Sequence, residues 1–116
     1  MKSVLVIEDE ELLRALIRDL LVDSGHTVCE ATNGDEALKL VAVNKFDLVI
    51  SDIEMPVKNG IEFLKEFRRL NHSTPVVMMS GGFAATEEEL FDLGATLFIR
   101  KPFLNIQGLL KTVMAA

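Results

Sequence analysis

Leu48-Val49-Ile50-Ser51-Asp52 joins a short, unbroken apolar run to an acid. A strand with one wet face alternates apolar and polar residues, whereas an unbroken run of this length suits a strand buried on both faces. Val4-Leu5-Val6-Ile7, Thr27-Val28-Cys29, Val76-Val77-Met78-Met79 and Leu97-Phe98-Ile99 repeat the pattern. Between these runs the apolar period changes to that of a helix. Leu12, Leu13, Leu16, Ile17, Leu20 and Leu21 recur at three- and four-residue steps, as do Ile61, Leu64 and Phe67, and Ile106, Leu109, Leu110 and Val113. Strict strand-helix alternation predicts a doubly wound α/β domain, a (βα)5 parallel sheet with helices on both faces.

Boundary residues agree with this division. Asn33 with Glu36, and Thr86 with Glu89, have capping-box spacing. Gly25, Gly60 and Gly94 fall where helices should stop or start, and Gly94 suits a left-handed C-terminal cap. Pro75 opens a strand, where its missing donor is tolerated. The segment Thr86 to Leu93 carries only a short helical pattern. No linker, repeat or second domain is readable, so a single domain over residues 1–116 is expected, and a stand-alone protein is favoured over an excised piece.

Composition narrows the function. The 116 residues are 49% hydrophobic and 26% charged, ordinary globular usage. The net charge of −6 removes the electrostatic drive toward phosphate backbones, so no direct nucleic-acid binding is expected. The lone Cys29 forms no intrachain disulfide and reads as a small packed hydrophobe. No apolar run is long enough to span a membrane, and a cytoplasmic location is expected. His26 and His72 stand in loops without metal-ligand partners and read as solvent-facing; Lys65, Arg68 and Arg69 read as a solvated basic face.

The chemistry lies where the strands end. Asp9, Asp52, Ser80 and Lys101 follow four apolar runs, and in a parallel sheet such ends converge on one crevice. Glu8-Asp9-Glu10-Glu11 crowds four acids there. Glu10 and Glu11 suit the first turn of a helix, where the macrodipole favours negative charge. Glu8 and Asp9 lie at the strand end itself, facing Asp52. Two carboxylates about 4 Å apart repel by about 4 kcal/mol at an effective dielectric of about 20, so the cluster needs a proton or a cation. A hard divalent ion fits such oxygen donors: Mg²⁺ suits them, and Ca²⁺ suits the same chemistry although no EF-hand spacing is present. Lys101 offers an ammonium to a phosphoryl oxygen, and Ser80, followed by Gly81-Gly82, offers a hydroxyl beside a permissive backbone.

In order, Glu8-Asp9, Asp52-Ile53-Glu54-Met55-Pro56 followed by Gly60, Ser80, and Lys101-Pro102-Phe103 resemble the receiver domain of two-component response regulators. The resemblance covers the whole chain. It implies a flavodoxin-like sandwich with strand order 2-1-3-4-5. It further implies that Asp52 is the phosphoacceptor, taking a phosphoryl group from a phosphohistidine on a sensor histidine kinase or histidine phosphotransfer protein. One Mg²⁺ would be held by Asp9, Asp52, the backbone carbonyl of Glu54, and Glu8 directly or through water. Lys101 and Ser80 would engage the phosphoryl oxygens. Ser80 and Phe98 would form the switch that alters the surface of the fourth helix, fifth strand and fifth helix for an output protein. The oligomeric state implied is a monomer or a phosphorylation-dependent dimer, and the role is signalling rather than turnover of a substrate. Glu8 departs from the family's more frequent Asp, and Phe98 lacks the hydroxyl of a Tyr, so its switch would be one of packing.

Three other readings compete. Asp52-Ile53-Glu54 faintly resembles phosphatases with an aspartate nucleophile, but those need a second Asp and a cap or longer core. A receiver-like interaction module that is never phosphorylated has only Glu8 in its favour. A flavodoxin-like cofactor domain would need a first loop that cradles phosphate, and Glu8 through Glu11 would repel it.

Overall fold

In a computed structural model of the chain, which describes residues 2–55, 57–71, 73–82, 86–101 and 111, each apolar run is a strand. The elements are β1 Ser3–Ile7, α1 Glu11–Asp23, β2 Thr27–Ala31, α2 Gly34–Val43, β3 Leu48–Asp52, α3 Gly60–Leu70, β4 Val76–Ser80, α4 Glu87–Asp92 and β5 Leu97–Arg100. All pairings are parallel, in the expected order β2-β1-β3-β4-β5. The pattern Ile106, Leu109, Leu110 and Val113 lies outside the described residues, as does His72.

Why the runs are continuous is visible in the core. Leu5, Ile7, Val49, Val76 and Met78 point to one face, against Phe63, Leu64, Phe67 and Leu90. Their neighbours Val4, Val6, Leu48, Ile50, Val77 and Met79 point to the other, against Ile17 and Leu21 of α1. Successive strand side chains alternate faces, so a sheet covered twice needs apolar residues at every position. Phe63 and Phe67 stack with centroids 5.4 Å apart, packing α3 onto the sheet. Burial of a side chain such as Phe63 contributes about 2–3 kcal/mol.

α1 corrects the sequence reading. The six Leu and Ile residues do not form one buried stripe: Ile17 and Leu21 are buried, Leu13 and Leu20 pack beside them, and Leu12 and Leu16 are exposed. Leu and Ile at six of ten positions exceed what one face can hide at 3.6 residues per turn. Glu10 is the N-cap rather than a first-turn residue.

The caps need a smaller revision. Asn33 accepts from the Glu36 amide, but the Glu36 carboxylate turns to the Thr32 amide and hydroxyl, both at 2.7 Å, so the box is half formed. Thr86 caps α4 through the Glu89 amide. The complete capping box is Asn59 with Glu62 at the start of α3, which the sequence reading did not single out. Gly94 has φ +106° and ends α4, its amide and that of Ala95 satisfying the carbonyls of Phe91 and Leu90. Arg68 is half-buried rather than solvated: its guanidinium donates twice to the Gly94 carbonyl, at 2.8 and 3.0 Å, tying α3 to the turn after α4. Cys29 packs half-buried against the core, as expected.

One backbone position is strained. Val57, in the loop between β3 and α3, has φ 69°. A β-branched side chain in the left-handed region costs about 1–2 kcal/mol, and Val57 is exposed, so no packing offsets it. Val57→Asn is expected to raise stability by about 1 kcal/mol, read as a higher urea midpoint with unchanged slope. An unchanged or lower midpoint would show that the loop relaxes without cost.

Candidate functional site

β1, β3, β4 and the residue after β5 deliver their polar ends to the same edge of the sheet. Ile7 pairs with Ser51, and the Glu8 amide donates to the Ala31 carbonyl at 3.0 Å, carrying the ladder one residue past β1 and setting Glu8 level with Asp52. Ser51 and Asp52 pair with Met78 and Met79, so Ser80 stands one step further along the edge. The Lys101 amide donates to the Ser80 carbonyl at 2.9 Å. The returning chain presses against β3: a Cβ on Gly60 would lie 2.1 Å from the Asp52 carbonyl oxygen, so no side chain fits there.

Charge organises the crevice. Glu8 is wholly buried and Asp52 nearly so, whereas Asp9 is exposed. Lys101 Nζ donates to Glu8 Oε1 at 2.7 Å and lies 3.3 Å from Asp52 Oδ1. The ammonium therefore bridges the two carboxylates. The repulsion between these carboxylates is met in part by a side chain rather than by a metal ion alone, with Lys101 turned to Glu8 as well as to Asp52. The Glu10 amide donates to Glu8 Oε2, Arg14 donates to the Glu8 carbonyl, and the Ile53 amide donates to Asp52 Oδ1 at 2.9 Å.

These surroundings move the proton affinities. Burial pushes the Glu8 carboxyl up to about 7, and the Asp52 charge adds to the rise, although the bonds from Lys101 and the Glu10 amide oppose it. Burial also raises Asp52, with Lys101 opposing and the Glu54 charge assisting. For Lys101, burial would lower proton affinity, but its bond to Glu8 and the charges of Glu8 and Asp52 outweigh it, and the net shift is upward.

Stability should follow the Glu8 shift. The folded state holds a Glu8 proton up to about pH 7, while the unfolded chain releases it near the ordinary value of 4.5. The folded state thus binds more protons between those limits, so this contribution is present in full below the unfolded value and is lost as pH rises through the folded one. The change is on the order of 3 kcal/mol. Glu8→Gln is expected to flatten the decline in melting temperature between about pH 5 and 8; an unaltered slope would assign the decline to other groups.

Glu8, Asp9 and Asp52 also meet the needs of a divalent cation. Each offers a carboxylate oxygen, and the three oxygens lie within 4.8 Å of one another. Hard oxygen donors at this spacing suit Mg²⁺, and the exposed Asp9 leaves the cluster open to an ion that keeps several waters.

Ser80 is buried, and its hydroxyl is already engaged. It donates to Glu54 Oε1 at 2.6 Å, with Oε2 at 2.9 Å, and the Gly82 amide donates to the same Oε1 at 2.9 Å. The sequence placed Glu54 near the mouth of the site but not on Ser80. Phe98 is half-buried against the core, and the Arg100 guanidinium lies 5.3 Å from its ring centroid while donating to the Gly82 carbonyl at 3.1 Å. Nothing in the sequence marked Arg100. His26 is no solvent-facing residue: half-buried, it accepts the Lys2 amide at Nδ1. Among the described residues, no helix is long and apolar enough to cross a membrane.

Comparison with known proteins gives the same picture. The family model of the response regulator receiver domain matches residues 4–114. The transcriptional regulatory protein CpxR of Klebsiella pneumoniae is 38% identical over 89% of this chain, which spans 44% of CpxR. The chain thus spans less than half the length of that regulator. The chemotaxis protein CheY of Thermotoga maritima is 36% identical over 88% of this chain and 87% of its own. The response regulator TrrA of Thermotoga maritima, solved in complex with Mg²⁺ and a beryllium fluoride, superposes with a TM-score of 0.87 at 32% identity, covering 99% of this chain and 98% of its own.

Proposed function

Because the chain belongs to the response regulator receiver domain family, we propose that Asp52 is its phosphoacceptor, loaded from a phosphohistidine on a sensor histidine kinase or histidine phosphotransfer protein. The observation that carries this is the placement of Asp52 at the buried end of β3, with Glu8, Asp9 and the Lys101 ammonium gathered on it. An Asp52 oxygen attacks phosphorus as the P–N bond breaks, and the imidazole leaves with that electron pair and takes a proton from solvent. The product is an acyl phosphate. Asp9, Asp52, the Glu54 carbonyl and Glu8 would hold one Mg²⁺, which when bound neutralises charge on the transferring phosphoryl group.

The protein's own share is positioning. The Ile53 amide fixes Asp52 Oδ1, and Gly60 lets the following helix brace the strand end. Lys101, already within reach of Asp52, would pair with a phosphoryl oxygen as the new charge outcompetes Glu8. Ser80 would donate to another oxygen, and its movement would repack Phe98 and change the surface formed by α4, β5 and the expected fifth helix, which lies outside the described residues. An output protein would read that surface. The chain acts as a signalling receiver that assists its own phosphorylation and dephosphorylation, residing in the cytoplasm.

The test is incubation with a small phosphodonor. Intact-mass analysis is expected to find one hydroxylamine-labile phosphoryl group per chain with Mg²⁺ and none after chelation. Labelling that ignores Mg²⁺ or resists hydroxylamine would overturn the proposal.

A further inference from the structure

Resting on the reading of Asp52 as phosphoacceptor, we propose that Glu54 is a positioning residue that restrains the Ser80 hydroxyl in the unphosphorylated chain, so that phosphoryl capture must compete with this acid for a single donor. A serine hydroxyl has one proton to give. Here it goes to the Glu54 carboxylate at 2.6 Å, the short distance of a charge-assisted O–H···O⁻ bond.

The surroundings support this grip. The Gly82 amide donates both to Glu54 Oε1 and to Ser80 Oγ, at 2.9 and 3.1 Å, so three groups just past β3, at the end of β4 and in its following loop close on one another. Gly82 makes room for the contact: a Cβ there would stand 2.9 Å from Glu54 Oε1. From the far side Arg100 holds the Gly82 carbonyl and covers Phe98. Restraint of Ser80 is thereby linked to the half-buried ring through one loop.

Arrival of a phosphoryl group sets two anions in competition for the same hydroxyl. The group brings about −1.5 to −2 charges, against one on Glu54, and repels that carboxylate. Ser80 then changes acceptor, and the loop carrying Gly82 loses its bond to Glu54. Until that happens the acid opposes activation. Removing it should make the site easier to fill.

Beryllium trifluoride with Mg²⁺ serves as a phosphoryl mimic, its binding measured by calorimetry on the wild type, Glu54→Ala, Ser80→Ala and the double variant. Glu54 is an exposed loop residue outside the hydrophobic core, so its truncation leaves the core intact, which thermal melting will verify. Glu54→Ala is expected to bind the mimic about tenfold more tightly than the wild type, the scale of one charge-assisted hydrogen bond. In the Ser80→Ala background the same substitution is expected to change affinity less than about twofold, because no hydroxyl remains to release. Equal gains in both backgrounds would mean that Glu54 acts by bare repulsion and would overturn the proposal, as would the absence of any gain. Asp52→Asn runs alongside: if it abolishes binding while the cycle shows no coupling, the restraint fails alone. If the wild type binds no mimic, the phosphoacceptor reading and the restraint fail together.

Discussion

The Asp52→Asn variant is expected to take up no phosphoryl group from a small phosphodonor and Mg²⁺, under conditions expected to load the wild-type chain. The substitution is nearly isosteric, and an amide oxygen can still accept from the Ile53 amide, as Asp52 Oδ1 does at 2.9 Å. What disappears is the anionic nucleophile. A neutral amide neither attacks phosphorus usefully nor offers a carboxylate to a divalent ion. The fold should survive, and the reason is electrostatic. Glu8 and Asp52 share the Lys101 ammonium, so removing one carboxylate relieves repulsion and leaves Glu8 with an undivided partner. A melting temperature at or above that of the wild type is therefore expected at pH 8, together with complete loss of the acyl phosphate. Equal labelling of both proteins would sink the assignment of Asp52, and labelling transferred to Asp9 or Glu54 would relocate the nucleophile within the same cluster.

The sheet was legible because its burial is extreme. A strand such as Val76-Val77-Met78-Met79 is covered on both faces, so every residue is apolar and the run cannot be mistaken for an exposed ribbon. Strand ends were legible for the converse reason: Asp52 and Ser80 are polar residues where a buried strand stops. The structure shows both as last residues of their strands rather than the first of a loop. The strand order came from family resemblance, since alternation alone does not choose among doubly wound topologies.

Partnerships between distant side chains were less legible. Glu8 and Lys101 are 93 positions apart, and their ion pair follows only once β1 and β5 are placed on one sheet with their ends aligned. Sequence reasoning found the crowding of acids and assigned the neutralisation to a metal ion; the folded chain performs part of it with Lys101. Arg68 and Arg100 escaped for another reason. Long cationic side chains on a surface element are ordinarily solvated, and only the close passage of the Gly94 and Gly82 carbonyls turns them into tethers. Gly94 admits its guanidinium because it lacks a side chain, since a Cβ there would stand 2.9 Å from Arg68 Nε, but a glycine in sequence does not name the group that will approach it.

Lys101→Met tests the charge balance from the other side. Methionine keeps most of the apolar stem and removes the ammonium, leaving Glu8 and Asp52 facing each other with no cation. Breaking a buried ion pair by deleting one partner costs about 3–5 kcal/mol when the remaining charge cannot escape. Glu8 can escape by protonation, and its proton affinity, already raised to about 7 with Lys101 present, must rise further without it. The penalty should therefore depend on pH. At pH 8 to 9 holding the proton becomes costly, and the loss relative to wild type approaches that range; near pH 5 Glu8 is protonated in either protein, and the difference should shrink to about 1 kcal/mol. Mg²⁺ added at pH 8 should restore part of the loss, since Glu8, Asp9 and Asp52 each offer it a carboxylate oxygen. Urea denaturation across this pH range checks the expectation. A deficit of equal size at every pH would assign the role of Lys101 to its packed stem, and no deficit at pH 8 would show that the two carboxylates are neutralised by something other than this ammonium.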